Sequence, residues 1–327
     1  MNLTYKLCLA VILPLSLYAV YTTPAFNRSK VTIAVEQKDS VTYGPANLFD
    51  AQSKAQMISK QFSFTEGPAA DIKGDVFFTD QPNDAIWKYS INGKLSQFGS
   101  KMGRSNGMYF DKKGNLLTCA DEQNQIWRIS PDGKKTQVLI KDFEGKKFNG
   151  PNDLWIDGKG GIYFTDPYYQ RPYWNRTQTE LDGMKVYYLA PGKTQAVVVT
   201  DKLVQPNGIT GTPDGKYLFV ADIKGDKTYK FSIEKDGTLS NQQLFTAKGS
   251  DGMTMDDNGN IYLTGNCVTI FNPQGVKIGF IAIPEPWSAN VCFSGKNRDV
   301  LFVTASKAVY TFQMKVKGLT KNASKQL

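Results

Sequence analysis

From Phe64 onward one pattern repeats six times along the chain, and a repeat of this length leaves few folds open. Each unit opens on a polar pair, passes through a short apolar stretch, turns, and returns through a second apolar stretch that often ends in Asp. The openings read Glu66-Gly67-Pro68, Asn106-Gly107-Met108, Asn152-Asp153-Leu154, Asn207-Gly208-Ile209, Asp251-Gly252-Met253 and Asn290-Val291-Cys292. The returns include Val76-Phe77-Phe78-Thr79-Asp80, Ile162-Tyr163-Phe164-Thr165-Asp166 and Leu218-Phe219-Val220-Ala221-Asp222. An interval of roughly 40–55 residues is that of a four-stranded propeller blade. Past the first segment, no stretch sustains the 3.6-residue apolar period that a helical repeat needs. The spacing predicts an all-β, six-bladed β-propeller over residues 61–316, with a short tail at 317–327. Residues 26–60 form an N-terminal extension that can contribute a strand. Residues 30–35 and 308–316 are the candidates for closing the ring.

Composition narrows the chemistry. The chain has 327 residues and no histidine, which removes imidazole bases, His metal ligands and Ser-His or Cys-His nucleophiles together. A formal net charge of +9 raises the question of nucleic acid. The lysines, however, are scattered over turns such as Lys112-Lys113 and Lys134-Lys135, without a stripe or interleaved stacking aromatics, so no nucleic-acid partner is expected. Lys6, the apolar run at 7–21 and Thr23-Pro24-Ala25 read as an export signal over residues 1–25. The expected location is periplasmic or extracellular, with membrane attachment only if the segment stays uncleaved as an anchor. Beyond that segment lie Cys119, Cys267 and Cys292, an odd number of thiols in strand-like runs, with Cys267–Cys292 the one pairing left open.

If the first strand of each unit is innermost, the six openings ring one mouth of the channel. All six first residues carry a side-chain oxygen: Glu66, Asn106, Asn152, Asn207, Asp251 and Asn290. One Glu and one Asp balance a divalent cation, and a mixed carboxylate and amide donor set suits a hard ion, Ca²⁺ before zinc or copper. Turn chemistry is the competing explanation, since Asn-Gly and Asp-Gly are turn dipeptides. It accounts for the Asn positions but not for Glu66.

These openings, with Arg104-Ser105-Asn106-Gly107, Asn149-Gly150-Pro151-Asn152-Asp153, Gln205-Pro206-Asn207-Gly208 and Ser250-Asp251-Gly252, resemble the motif series of the senescence marker protein/gluconolactonase/luciferin-regenerating-enzyme-like family. The resemblance spans about residues 60–314. It implies a six-bladed propeller and a Ca²⁺-dependent hydrolase of a small-molecule lactone, a sugar lactone in many members. It also implies that Glu66, Asn152, Asn207 and Asp251 hold the metal, that Asp251 doubles as the acid/base carboxylate, and that Arg104 and Asn106 face substrate. One departure stands out: Cys119-Ala120-Asp121 occupies the place where many of the sugar lactonases carry Cys-Glu-His. The substrate preference therefore does not transfer.

The third unit is the longest, and its excess, Asp166 to Arg176, holds four aromatics and two arginines. A loop after a returning strand emerges on the same face as the ring, so Tyr168 and Arg171 are candidate substrate contacts. The expected mechanism polarises the lactone carbonyl on the cation while Asp251 takes a proton from water. A non-catalytic Ca²⁺-binding propeller that recognises a sugar, peptide or cell-wall fragment, and an organophosphate hydrolase on the same site, remain as alternatives.

Overall fold

The computed structural model describes residues 41–319. They form six four-stranded antiparallel sheets. The innermost strands are Thr65–Ala70, Ser105–Phe110, Leu154–Ile156, Pro206–Gly211, Met253–Met255 and Ser288–Ser294, and each touches the next until the last returns to the first. This is the six-bladed propeller that the repeat predicts. The export segment, Cys8, residues 30–35 and most of the tail lie outside the described residues.

The extension supplies the ring-closing strand, at Gln56–Ser59 rather than at 308–316. The sixth blade runs, from centre to rim, Ser288–Ser294, Val300–Ala305, Ala308–Gln313 and then Gln56–Ser59. Residues 308–313 are thus an ordinary third strand, and the closing strand comes from the extension, pairing Gln56 with Thr311 and Met57 with Tyr310. An early strand laid on a late blade covers an edge that would otherwise be open. Gln56-Met57-Ile58-Ser59 shows little alternation and is half exposed, so its sequence announces it poorly.

The blade interiors explain the second stretches. Val76–Asp80, Leu116–Ala120 and Ile162–Asp166 are buried at every position, because each sheet is covered by a neighbour on both faces. Such strands read as continuous apolar runs rather than alternating ones. Aromatics fill the blade faces and the gaps between blades: Phe77 meets Phe98 of its own blade at 4.9 Å and Phe110 of blade 2 at 5.1 Å, and Phe78 meets Phe302 of blade 6 at 5.5 Å. The described cysteines are all thiols, so Cys267 and Cys292 form no bridge.

The opening pairs are not turns. Asn106-Gly107 and Asn207-Gly208 lie inside strands, and neither glycine has a positive φ. Their glycines answer to crowding at the axis instead. A Cβ on Gly107 would stand 2.6 Å from the Asn152 carbonyl oxygen and 2.6 Å from the Asp153 Cα; one on Gly252 would stand 2.6 Å from Asn290 Nδ2. Gly107→Ala is therefore expected to cost about 1–3 kcal/mol by overpacking. Urea unfolding measures it, and a change below about 0.5 kcal/mol would show that the inner strands can part.

Candidate functional site

The inner strands are irregular where they reach the mouth. The pairing of first and second strands slips at Glu66/Ala69, Ser105/Met108, Pro206/Ile209 and Ser288/Asn290. In blades 3 and 5 the strand begins only after Asn152-Asp153 and Asp251-Gly252. Bulged or unpaired backbone re-aims side chains that a regular pleat would send to alternate faces. Thr79, Thr165 and Thr264 hold the arrangement, each giving its hydroxyl to a carbonyl of the next blade: Asn106 (3.5 Å), Asn207 (2.8 Å) and Ala289 (2.8 Å).

Contacts across the mouth bring most of the expected residues together. Asn207 Nδ2 donates to Asp251 Oδ1 at 2.8 Å, and Trp287 Nε1 donates to Asp251 Oδ2 at 2.6 Å. Asn290 Nδ2 reaches Asp153 Oδ2 at 3.4 Å, from blade 6 to the opposite blade 3. Glu66 accepts from the Gly67 amide at 2.9 Å and feels the charges of Asp251 and Asp153. Asn152 is buried beside them, its carbonyl accepting from the Gly107 amide at 2.7 Å. Carboxylates thus come from blades 1, 3 and 5, and amides from blades 2, 3, 4 and 6.

Asp153 is the residue that sequence reasoning missed. It is as buried as its neighbour Asn152, yet only Asn152 counted as a ring donor. The signal was present, since this is the one opening Asn that an acidic residue follows. The mouth therefore holds three carboxylates rather than two. Burial pushes Asp153 up to about 7 and Asp251 up to about 6. Burial also holds Glu66 well above the usual carboxylate range, with the Asp251 charge adding to it.

The loop at 167–184 crosses the mouth. Tyr169, rather than Tyr168, reaches the ring: Asn207 Nδ2 donates to its hydroxyl at 3.0 Å, and burial with the Asp251 charge raises its phenol. The Tyr168 hydroxyl bonds Gln170, its own neighbour in the loop. Arg171 Nε pairs with Asp121 Oδ2 at 3.2 Å. Arg104 lies 4.6 Å from the Tyr173 ring centre, pairs with Glu122 at 3.3 Å, and donates to the Pro82 carbonyl. Both arginines expected at the substrate already have acidic partners.

The mouth fits a cation. Asn106 Oδ1 and Asn207 Oδ1 are buried without hydrogen-bond partners, a costly state for an amide oxygen and one that a cation relieves. Among the described residues no three acidic or thiol side chains form a ligand cluster by themselves. Amide oxygens are therefore needed to complete the donor set.

Comparison with known proteins agrees with this fold. Residues 64–307 match the model of the SMP-30/gluconolactonase/LRE-like region, with a second, overlapping match at 21–141. A gluconolactonase of Zymomonas mobilis is 26% identical over 303 residues, covering 83% of this chain and 84% of its own. A lactonase of Staphylococcus aureus is 27% identical over 243 residues, 69% of this chain and 72% of its own. The solved structure of a gluconolactonase from Xanthomonas campestris superposes with a TM-score of 0.77 at 24% identity, over 84% of this chain and 94% of that one. With the family model matched across the propeller and the six blades in agreement, the chain belongs to the SMP-30/gluconolactonase/LRE-like family.

Proposed function

We propose that the channel mouth is the active site of an exported, divalent-cation-dependent lactonase, with Ca²⁺ as the cation and a small-molecule lactone as the substrate. The observation that carries this reading is the convergence of three buried carboxylates with two unpartnered amide oxygens at one mouth. Glu66, Asn152, Asn207 and Asp251 are the ligands we assign, with Asp153 supplying a further negative charge. A bound cation supplies the positive charge that polarises a lactone carbonyl and acidifies water.

The chain's own residues do the rest. Asn207 and Trp287 each hold one Asp251 oxygen, which fixes the carboxylate's plane. Burial raises Asp251 in the cation-free site, and a bound cation would lower it again, leaving an ionised carboxylate to take a proton from the attacking water and return it to the leaving ring oxygen. Tyr169 stands over this pair and shields it from bulk solvent. The absence of histidine leaves Asp251 as the base we assign.

The test is hydrolysis of gluconolactone and of an aryl phosphotriester, each with and without chelator. Lactone turnover that chelator abolishes and Ca²⁺ restores is the expected result. Faster turnover of the phosphotriester would make the site an organophosphate hydrolase, and no turnover of either would make it a binding site.

A further inference from the structure

Three of the six blades end their second strand in Asp, and the three residues do the same work. Asp80 accepts from the Ser63 and Phe64 amides, Asp166 from those of Asn149 and Gly150, and Asp222 from those of Val204 and Gln205. Each clamps the loop that leads into its own inner strand. In blade 2 the corresponding residue is Ala120, which pairs with Ser105 as Asp80 does with Thr65, and Asp121 stands one position beyond it. There the loop is held by Asp84, whose Oδ1 accepts from the Arg104 amide at 2.7 Å.

Asp121 is turned to the loop at 167–184 instead. Its Oδ2 accepts from Arg171 Nε at 3.2 Å and from the Tyr173 hydroxyl, and its carbonyl accepts from Trp174 Nε1 at 3.1 Å. Asp121 is 1% exposed, so these are buried, charge-assisted bonds. Two further ties complete the attachment. Arg176 donates to the Asn149 carbonyl under the Trp174 ring (4.4 Å), and Gln205 Nε2 donates to the Tyr168 carbonyl at 3.3 Å. The loop is thus anchored on blades 2, 3 and 4, and between these anchors Tyr169 meets Asn207.

We infer that Asp121 is a positioning residue for the site: it seats the 167–184 loop as a fixed roof, so that Tyr169 forms the substrate-facing wall over Asn207 and Asp251. The acidic residue just past blade 2's second strand thus holds a neighbouring blade's insertion. Specificity then depends on Tyr169 through a residue that touches no substrate. The kinetic part of the inference rests on the lactonase reading; the seating itself does not.

The first arm of the test is trypsin cleavage after Arg176 in the folded protein, since Arg171 precedes proline and resists the enzyme. Asp121→Ala is expected to speed this cleavage about ten-fold or more, because local opening controls proteolysis. Should Asp121→Ala fail to fold, Tyr173→Phe with Arg171→Met removes the same bonds from the loop side. Cleavage at the wild-type rate in a folded variant overturns the inference. The second arm is kinetic. Asp121→Ala should raise KM about 5–20-fold with kcat within about 3-fold, the pattern of lost substrate binding. In a Tyr169→Phe background the same substitution should add little, because both act through one contact. Multiplicative effects would show that Asp121 acts elsewhere. If the wild type turns over no lactone, the lactonase reading fails, and the cleavage rate alone decides the seating.

Discussion

Asp251→Asn is expected to lower kcat for lactone by about 10²–10⁴ at saturating Ca²⁺, the usual cost of losing a general base. The amide keeps one carbonyl oxygen to offer a cation but cannot take a proton. It also has a single acceptor where the structure needs two, for Asn207 Nδ2 and Trp287 Nε1. One buried donor is then left without a partner, at a cost of about 1–3 kcal/mol in stability. Kinetics and unfolding must therefore be measured on the same preparation. Near-normal turnover with the cation site full would reduce Asp251 to a ligand. Asn207→Asp, which looks from the sequence like a harmless control, would set two carboxylates against each other at a contact that now measures 2.8 Å.

The second large effect is a pH-dependent gain of stability from the cation. The folded chain holds Asp153 at about 7 and Asp251 at about 6, against about 3.9 in an unfolded chain. Without cation, the stability these protons provide is full below about 4 and is lost as pH rises through 6 and 7. For Asp251 alone the loss is roughly 3 kcal/mol, since each tenfold change in proton affinity is worth about 1.4 kcal/mol. A cation competes with those protons, so its benefit should be greatest where they have already left. At pH 8 and about a hundred times its Kd, Ca²⁺ should stabilise by about 2.7 kcal/mol. That corresponds to a rise in Tm of about 5–10 °C for a chain of this size. At pH 5 the same free Ca²⁺ should give less than about half that rise. Thermal melts with Ca²⁺ and with chelator at both pH values check this, and an equal rise at the two would break the link to the carboxylates.

What the sequence alone determined is the repeat and its consequences. Short apolar runs at a blade-length interval force the all-β ring, because each blade's second strand is covered on both faces and reads as a continuous apolar run. The same periodicity put Glu66, Asn106, Asn152, Asn207, Asp251 and Asn290 at one mouth, since equivalent positions in a closed ring share a height along its axis. Three things were decided only in three dimensions. The closing strand, Gln56–Ser59, takes its place from a partner some 250 residues away, so its own weak pattern could not reveal it. Asp153 joins the mouth because blade 3 begins its inner strand late, a local irregularity of backbone pairing that no residue type encodes. Asp121 holds the 167–184 loop because it stands one residue past the strand end, where Arg171 and Tyr173 reach it. A side chain's work in a repeat is set by which partner reaches it first, and that is a property of packing.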